Sequence, residues 1–238
     1  MTHRLTLGGI AVDVVLKDIK NIHLGVYPPA GRVRIAAPAR MSLDAIRVFA
    51  ISKLGWIRKQ RVKLQEQERE TRREYLDRES HYVWGGRYLL KLAERDQAPA
   101  VELKHRRMLL TVRPGTDEAR REAIVARWYR DQLRSVATDL VAIWEPTLGV
   151  KVERVFLQQM KTKWGSCNAR ARTIRLNTEL AKKPKECVEY IVIHEMVHVL
   201  EPTHNAPFVA LMDQFLPGWR FCRQELNRLP VRHMDWNY

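Results

Sequence analysis

The chain has 238 residues, enough for one large domain or two small ones with a substantial core. Hydrophobic residues make up 45% of the sequence and charged residues 29%, as in an ordinary soluble globular protein. No apolar stretch approaches the roughly 20 residues that a membrane span requires, and the first residues lack the apolar core of an export signal. The composition therefore predicts a cytoplasmic protein with no membrane partner.

The net charge of +15 predicts attraction to anions such as nucleic acids, nucleotides or acidic proteins. No nucleic-acid recognition motif accompanies the charge, which also serves solubility, so a nucleic-acid partner is left open. The three cysteines, Cys167, Cys187 and Cys222, form no Cys-x-x-Cys pair. Their spacing argues against a disulfide framework and against a structural zinc site.

The N-terminal half is predicted to be rich in strands. Alternating apolar residues predict strands over 10–17, 22–27 and 32–37, and a turn over 28–31 joins the last two. Ser42 is predicted to cap a helix that continues to about residue 78. Two hairpins are predicted to follow, the first around a Gly-Gly turn in HYVWGGRYLLKLAE and the second around a basic turn in AVELKHRRMLLTV.

The C-terminal half is predicted to be rich in helices. Asp117 begins a long amphipathic helix that ends near Pro146, and later helices are predicted from Pro184 and over 206–215 and 219–228. Strands are predicted at 153–158 and 173–177, with a loop over 161–171 between them. The predicted fold is α+β, with a β-rich region over 1–115 that contains a long helix. A helix-rich catalytic domain with a small antiparallel or mixed sheet is predicted over 116–238.

The segment IVIHEMVHVLEPTHNAPF, residues 191–208, places histidines and glutamates in an apolar helix. His194 and His198 are four residues apart, so their side chains lie on one face and can bind one metal ion. Glu195 is rotated by about 100° from His194, so it flanks the metal and can deprotonate a bound water. This is the His-Glu-x-x-His arrangement of zinc hydrolases.

A catalytic zinc site needs a third protein ligand and one open position. His204 would lie about 9 Å beyond His198, on another face, if the helix continued. Pro202 is predicted to end the helix, because proline lacks an N–H and disfavours helical backbone in the residue before it. His204 is therefore predicted to complete the zinc site.

Two acidic residues are further candidates around this site. Glu201 lies near the same helix face as the first two histidines, so it is a rival ligand or a residue that supports one. Asp213 is a candidate acceptor for a histidine N–H. The histidine spacing matches that of metzincins in length, but Glu201 replaces their glycine and no Met-turn follows.

The stretches QQMKTKWGSCNARARTIRLNTELAKKP and YIVIHEMVHVLEPTHNAPF resemble the YgjP-like metallopeptidases. These are bacterial zincin-like proteins, distantly related to SprT-type and WLM-type domains. The region from Asn21 to Gln60 also fits the family, so the resemblance extends from about residue 20 to about residue 230. It implies that His194, His198 and His204 are the zinc ligands and that Glu195 is the catalytic base. It also implies that the strand TIRLN lies beside the metal helix and offers an edge to an extended substrate.

The block KTKWGSC has a simpler structural explanation as well. Trp164 and Cys167 are predicted to pack under the metal helix, with Gly165 allowing a tight bend. The basic side chains of Lys161, Lys163 and Arg175 are candidates to bind an anionic part of the substrate, although a solvated basic surface explains them equally well.

The sequence thus predicts a zinc-dependent hydrolase, in the first place a metallopeptidase in which Glu195 activates a zinc-bound water to cleave peptide bonds. The alternative is a metal-dependent pyrophosphatase acting on nucleoside triphosphates such as UTP, an activity that has been ascribed within the family. The basic segment 161–175 would then hold the phosphates. A third hypothesis is a basic module, with the helix over 42–78 as its contact, that binds nucleic acid.

Overall fold

The computed structural model describes residues 2–27, 31–66, 73–160 and 163–228. Among these, residues 2–66 form one compact unit and residues 73–228 another, and each has its own hydrophobic core. Strands and helices are mixed in both, which confirms the predicted α+β class. No helix in the described ranges combines the length and apolarity that crossing a membrane requires.

The first unit is a four-stranded sheet with two helices. Its elements are β1 (Thr2–Leu7), β2 (Ile10–Lys17), β3 (His23–Tyr27), β4 (Arg32–Pro38), α1 (Leu43–Ser52) and α2 (Leu54–Glu66). The strand order is β1-β2-β4-β3, with β2 and β4 parallel and the outer pairs antiparallel. Alternation of apolar and polar residues along β2 and β4 buries one face of each strand, as the sequence predicts.

The predicted continuous helix over 42–78 is wrong. Ser42 does cap α1, since its side chain accepts a hydrogen bond from the Ala45 N–H at 3.2 Å. The hydroxyl of Ser52 then donates to the carbonyl of Phe49 at 2.7 Å, a local bond that competes with the helical pattern. Lys53 leaves the helix and α2 begins one residue later, while residues 73–79 contain no helix. The predicted turn at 28–31 falls largely on residues outside the described ranges.

The second unit contains two sheets and four α-helices among the described residues. Its elements are β5 (Ser80–Val83), β6 (Gly86–Glu94), β7 (Ala100–Lys104), β8 (Arg107–Val112), α3 (Glu118–Leu148), β9 (Arg154–Gln158), β10 (Gly165–Asn168), β11 (Thr173–Asn177), a 3-10 helix (Thr178–Lys182), α4 (Lys185–Leu200), α5 (Ala206–Phe215) and α6 (Trp219–Arg228).

The strands β5 to β8 form the two predicted hairpins, joined side by side in the order β5-β6-β8-β7. Trp84 and Gly85 have φ values of 50° and 78°, which allow the tight turn of the first hairpin. Buried residues of these strands belong to the same core as those of α3 and α4. The boundary at residue 115 between a β-rich region and a catalytic domain stays a prediction.

Helix α3 has capping residues at both ends. The Asp117 carboxylate accepts a hydrogen bond from the Arg120 N–H at 2.8 Å, as expected of a helix N-cap. The helix passes through Pro146 and ends at Leu148, because Gly149 adopts the left-handed conformation with a φ of 65°.

The strands β9, β10 and β11 form a three-stranded sheet that packs against α4. The predicted loop over 161–171 contains β10, a strand that the sequence does not reveal because it is only four residues long and lacks apolar alternation. The strand β11, TIRLN, lies in the middle of the sheet, between β10 and β9. The expectation that TIRLN offers an edge to substrate is therefore wrong, and β10 is the edge strand beside α4.

The two faces of this sheet differ in chemistry because side chains alternate along each strand. We call the face toward the core the inner face: Gly165, Cys167, Ile174, Leu176, Val155 and Leu157. The opposite, outer face contains Ser166, Arg154, Phe156 and Arg175, and the guanidinium carbons of Arg154 and Arg175 lie 5.6 and 5.2 Å from the Phe156 ring centre.

Candidate metal centre

Helix α4 is apolar on nearly all sides, because strands and helices surround it. The sheet strands β10 and β11 and the helices α3, α5 and α6 all pack against it. A helix covered in this way does not need a single apolar stripe, which explains its mixture of valines, isoleucines and a buried glutamate. His194 and His198 lie one turn apart near its C-terminal end, with ring centres separated by 4.9 Å.

The chain turns directly after α4, as the sequence predicts. Glu201 adopts an extended conformation with φ −133° and ψ 104°, and Pro202 follows. The carboxylate of Glu201 accepts hydrogen bonds from the backbone N–H and the hydroxyl of Thr203, at 3.2 and 2.9 Å. Asn205 then caps α5 by accepting from the Phe208 N–H at 3.0 Å. The turn between the two helices contains His204.

The three histidines meet at their Nε2 atoms. The Nε2 of His204 lies 2.9 Å from that of His194 and 3.2 Å from that of His198. One nitrogen atom from each ring can be chosen so that all three lie within 4.8 Å of one another. Two nitrogens bound tetrahedrally to one zinc ion are about 3.3 Å apart, so the observed spacing fits a shared cation. His194, His198 and His204 could therefore hold a metal ion.

The protonation of the imidazoles also suits a metal. The Nδ1 of His198 lies 3.0 Å from the backbone carbonyl of Glu201, so it donates its proton there and leaves the Nε2 lone pair facing the centre. Burial, followed by the neighbouring imidazoles, lowers the pKa of His194 to about 3. Burial and the same neighbourhood also lower the pKa of His204. Neutral imidazoles are the form that binds metal ions.

A buried phenylalanine supports all three rings, and sequence reasoning missed it. Phe208, 2% exposed, has its ring centre 5.0 Å from that of His194 and 4.7 Å from those of His198 and His204. It lies in the first turn of α5, four residues after His204. This spacing is the signal that could have revealed the contact, since residues four apart become neighbours where a helix begins.

Glu195 is buried between α4 and the edge strand β10, with 4% of its surface exposed. A Cβ atom at Gly165 would lie 2.5 Å from Glu195 Oε1 and 2.8 Å from its Cγ, so glycine is the residue that leaves room for this carboxylate. Gly165 lies within a strand and has no positive φ, which corrects the prediction that it allows a tight bend. Burial raises the pKa of Glu195 to about 8, against the opposing charge of Lys163.

The remaining residues that the sequence predicts for the site do not all lie near Glu195. Lys163 is exposed, but its charge acts on Glu195. Arg175 lies on the outer face of the sheet, away from Glu195, and Lys161 is outside the described residues. Asp213 accepts hydrogen bonds from Trp219 Nε1 at 2.7 Å and from Arg220, so its proposed bond to a histidine is wrong.

Glu201 supports a histidine of the site, which is one of the two roles that the sequence left open for it. Its carboxylate bonds to Thr203, and its backbone carbonyl orients His198. In the described ranges, the group of side chains that could hold a metal ion consists of the three histidines, without Glu201.

Most of this chain matches a known family of metallopeptidases. The YgjP-like metallopeptidase domain matches residues 20–229, which is most of the sequence. The chain belongs to the YgjP-like metallopeptidase family. The match includes all the histidines of the centre together with Glu195, so this YgjP-like chain has a metallopeptidase domain with a group of residues suited to bind metal.

Two solved structures are similar to part of this YgjP-like chain. The metallopeptidase zymogen abylysin of Pyrococcus abyssi has 22% identity and a TM-score of 0.36, and the match covers 38% of this chain and 90% of that one. The metallopeptidase zymogen jannalysin of Methanocaldococcus jannaschii has 16% identity and a TM-score of 0.32, covering 40% of this chain and 87% of that one. Among curated proteins, no relative matches this chain.

Proposed function

We propose that the chain is a zinc-dependent peptidase in which His194, His198 and His204 hold the metal and Glu195 is the general base. The observation that carries the proposal is that the Nε2 atom of His204 lies within 3.2 Å of the Nε2 atoms of both His194 and His198. The buried carboxylate of Glu195 is on α4, the helix that contains the first two histidines. Imidazole ligands also suit copper, iron and nickel, and zinc is proposed because the His-Glu-x-x-His pattern accompanies them. When bound, zinc lowers the pKa of water and polarises a carbonyl group.

Glu195 would perform the proton transfers of peptide hydrolysis. It accepts a proton from the attacking water as the water oxygen bonds to the carbonyl carbon. It then returns this proton to the amide nitrogen, which leaves as an amine when the C–N bond breaks. Gly165 supports this role because its missing side chain lets the carboxylate lie over β10.

The edge strand β10 supports an extended peptide as the substrate. It pairs with β11 on one side only, and among the described strands none occupies its other side. The free N–H and C=O groups of an edge strand can bind a peptide by adding it as a further strand. Such a peptide would run past Gly165, the residue in contact with Glu195.

Neither alternative function receives support from the described residues. Of the basic residues predicted to hold phosphates, Arg175 lies with Phe156 on the outer face of the sheet. The nucleic-acid hypothesis takes the helix over 42–78 as its contact, and that helix is interrupted at Lys53. The family match concerns peptidases, and cytoplasmic location stays a prediction.

The first test replaces the proposed base. Glu195→Gln keeps the shape of the side chain but cannot accept the proton, so peptide cleavage should fall by about 100-fold to 10,000-fold. Cleavage of denatured protein is followed by mass spectrometry, and the zinc content of each variant by elemental analysis. Glu186→Gln is the matched control, because Glu186 is an exposed residue in the first turn of the same helix. Full activity of the Glu195→Gln protein would contradict the mechanism.

The second test concerns the metal. The purified protein should contain about one zinc ion per chain, and a chelator should abolish cleavage until zinc is restored. His204→Ala should lower the zinc content because it removes one of three ligands while the α4 histidines remain. A His204→Ala protein with unchanged zinc content would show that His204 is not a ligand.

A further inference from the structure

A succession of aromatic rings leads from the metal centre to a cationic residue of α6. The ring of Tyr190 contacts that of His194 edge to face, with centres 5.7 Å apart. The ring of Trp219 stacks on Tyr190, with centres 6.1 Å apart and planes 18° from parallel. The guanidinium carbon of Arg223 lies 5.9 Å from the Trp219 ring centre. Arg223 is thus connected to the centre through Tyr190 and Trp219, two residues that are themselves packed in the core.

Arg223 differs from Arg220, which lies one turn earlier in α6. Both guanidinium groups lie near the Trp219 ring, that of Arg220 at 4.7 Å from the ring centre. Arg220 donates hydrogen bonds to both carboxylate oxygens of Asp213, so its charge is already compensated. Arg223 is exposed, and within the described ranges no carboxylate pairs with it.

We propose that Arg223 is a specificity-determining residue that binds a carboxylate of the peptide substrate. The planar guanidinium group offers paired N–H donors in the geometry of a carboxylate. An exposed arginine and the net charge of +15 both suit an anionic substrate. The inference rests on the proposed peptidase function, and it adds the class of substrate: acidic peptides. The carboxylate belongs to an aspartate or glutamate side chain or to the C-terminal residue of the substrate.

The test uses a set of short peptides that distinguishes the two sources of carboxylate. Each peptide contains one glutamate in an otherwise neutral sequence, and the position of this glutamate differs from peptide to peptide. A matched peptide has glutamine at the same position. Every peptide is made in two forms, one with a free and one with an amidated C-terminus. Wild-type enzyme should cleave the carboxylate-bearing member of a pair about 10-fold faster at low substrate concentration, mainly through KM. The position of the preferred carboxylate identifies its source. Arg223→Gln, which keeps the packing over Trp219, should abolish the preference.

Two further variants control for charge and for folding. Arg223→Lys should keep part of the preference, because it retains the charge but loses the paired donors. Arg220→Ala removes a cation from the same helix that is already paired, so it should leave the preference unchanged. Thermal unfolding of each variant shows whether it is folded. An unchanged preference in Arg223→Gln, or an equal loss in Arg220→Ala, would overturn the proposal.

Peptide binding to the Glu195→Gln protein provides a readout that does not depend on turnover. Fluorescence anisotropy of labelled members of the same set should show an affinity about 10-fold higher for the preferred carboxylate peptide, and the difference should vanish when Arg223→Gln is added. If the wild-type enzyme cleaves none of the peptides, the peptidase proposal fails and the binding result alone decides the role of Arg223. Equal affinities for acidic and neutral peptides would refute that role.

Discussion

The inner and outer faces of the three-stranded sheet have opposite chemistry and opposite relations to the metal centre. The inner face has glycine, cysteine and aliphatic residues, and Gly165 on it is in contact with Glu195. The outer face has two arginines that lie near Phe156. These two arginines therefore lie on the opposite face of the sheet from Glu195, whereas Gly165, which has no side chain, leaves the space that this carboxylate occupies. In this sheet, the missing side chain of Gly165 matters more to the position of Glu195 than the charges of Arg154 and Arg175.

Within this sheet, the largest expected effect is that of Gly165→Ala on the inner face. The added methyl group would lie 2.5 Å from Glu195 Oε1, so the carboxylate must move. Displacement of a catalytic group by about 1 Å costs on the order of 100-fold in activity, and a fall of this size in kcat/KM is expected with little loss of stability. Ser166→Ala, on the outer face of the same strand, is the control and should keep activity. Equal activity in both variants would remove the distinction between the faces.

A stability difference between the faces is expected next. Leu176 is fully buried on the inner face, so Leu176→Ala should lower the free energy of unfolding by about 3 kcal/mol. Phe156 on the outer face is only partly buried, and Phe156→Ala should cost about 1 kcal/mol in spite of the larger side chain removed. Denaturant unfolding measures both values. A greater loss for Phe156→Ala would mean that the outer face is covered.

The reactivity of Cys167 reports on the inner face as well. Burial, with the nearby charge of Glu195, raises the pKa of this thiol to about 11. Because the thiolate is the reactive form, alkylation at pH 8 should be about 100-fold slower than in an unfolded peptide and should accelerate as the pH rises toward 11. Mass spectrometry of iodoacetamide-treated protein resolves this site from the other two cysteines. A rate equal to that of the peptide would show that the thiol is not buried as described.

The smallest effect is expected for Arg175→Ala on the outer face. Its guanidinium group lies over Phe156 and does not approach Glu195, so kcat/KM should change by less than about twofold. The same substitution at Lys163, whose charge does act on Glu195, provides the comparison. A large loss of activity in Arg175→Ala would make the outer face a part of the substrate site.

Local sequence signals predicted much of the chain's organisation. Ser42 and Asp117 cap helices because a short polar side chain satisfies the free N–H groups of a first turn in almost any context. The four-residue spacing of His194 and His198 and the break imposed by Pro202 are also local properties. These features depend on neighbours along the chain, so the sequence was sufficient to predict them.

Other features depended on residues far apart in sequence. The strand β10 exists because it pairs with β11, and its own residues give no strand pattern. The contacts of Phe208 with three imidazoles and of Arg223 with Trp219 likewise depend on how helices pack, which periodicity does not specify. One missed feature is local: the predicted helix over 42–78 is interrupted at Lys53, next to the hydrogen bond of the Ser52 hydroxyl to the Phe49 carbonyl, and average composition does not locate such a break.

The sequence by itself determined which side chains are able to bind a metal and where the helix that presents two of them must stop, because helical geometry and the missing N–H of proline act locally. Only the tertiary structure decided that the ring of His204 returns to the other two, that Glu195 lies over Gly165, and that Arg175 lies on the opposite face of the sheet. These positions result from the packing of α4 against β10, α5 and α6, and such contacts form only when distant segments are buried together.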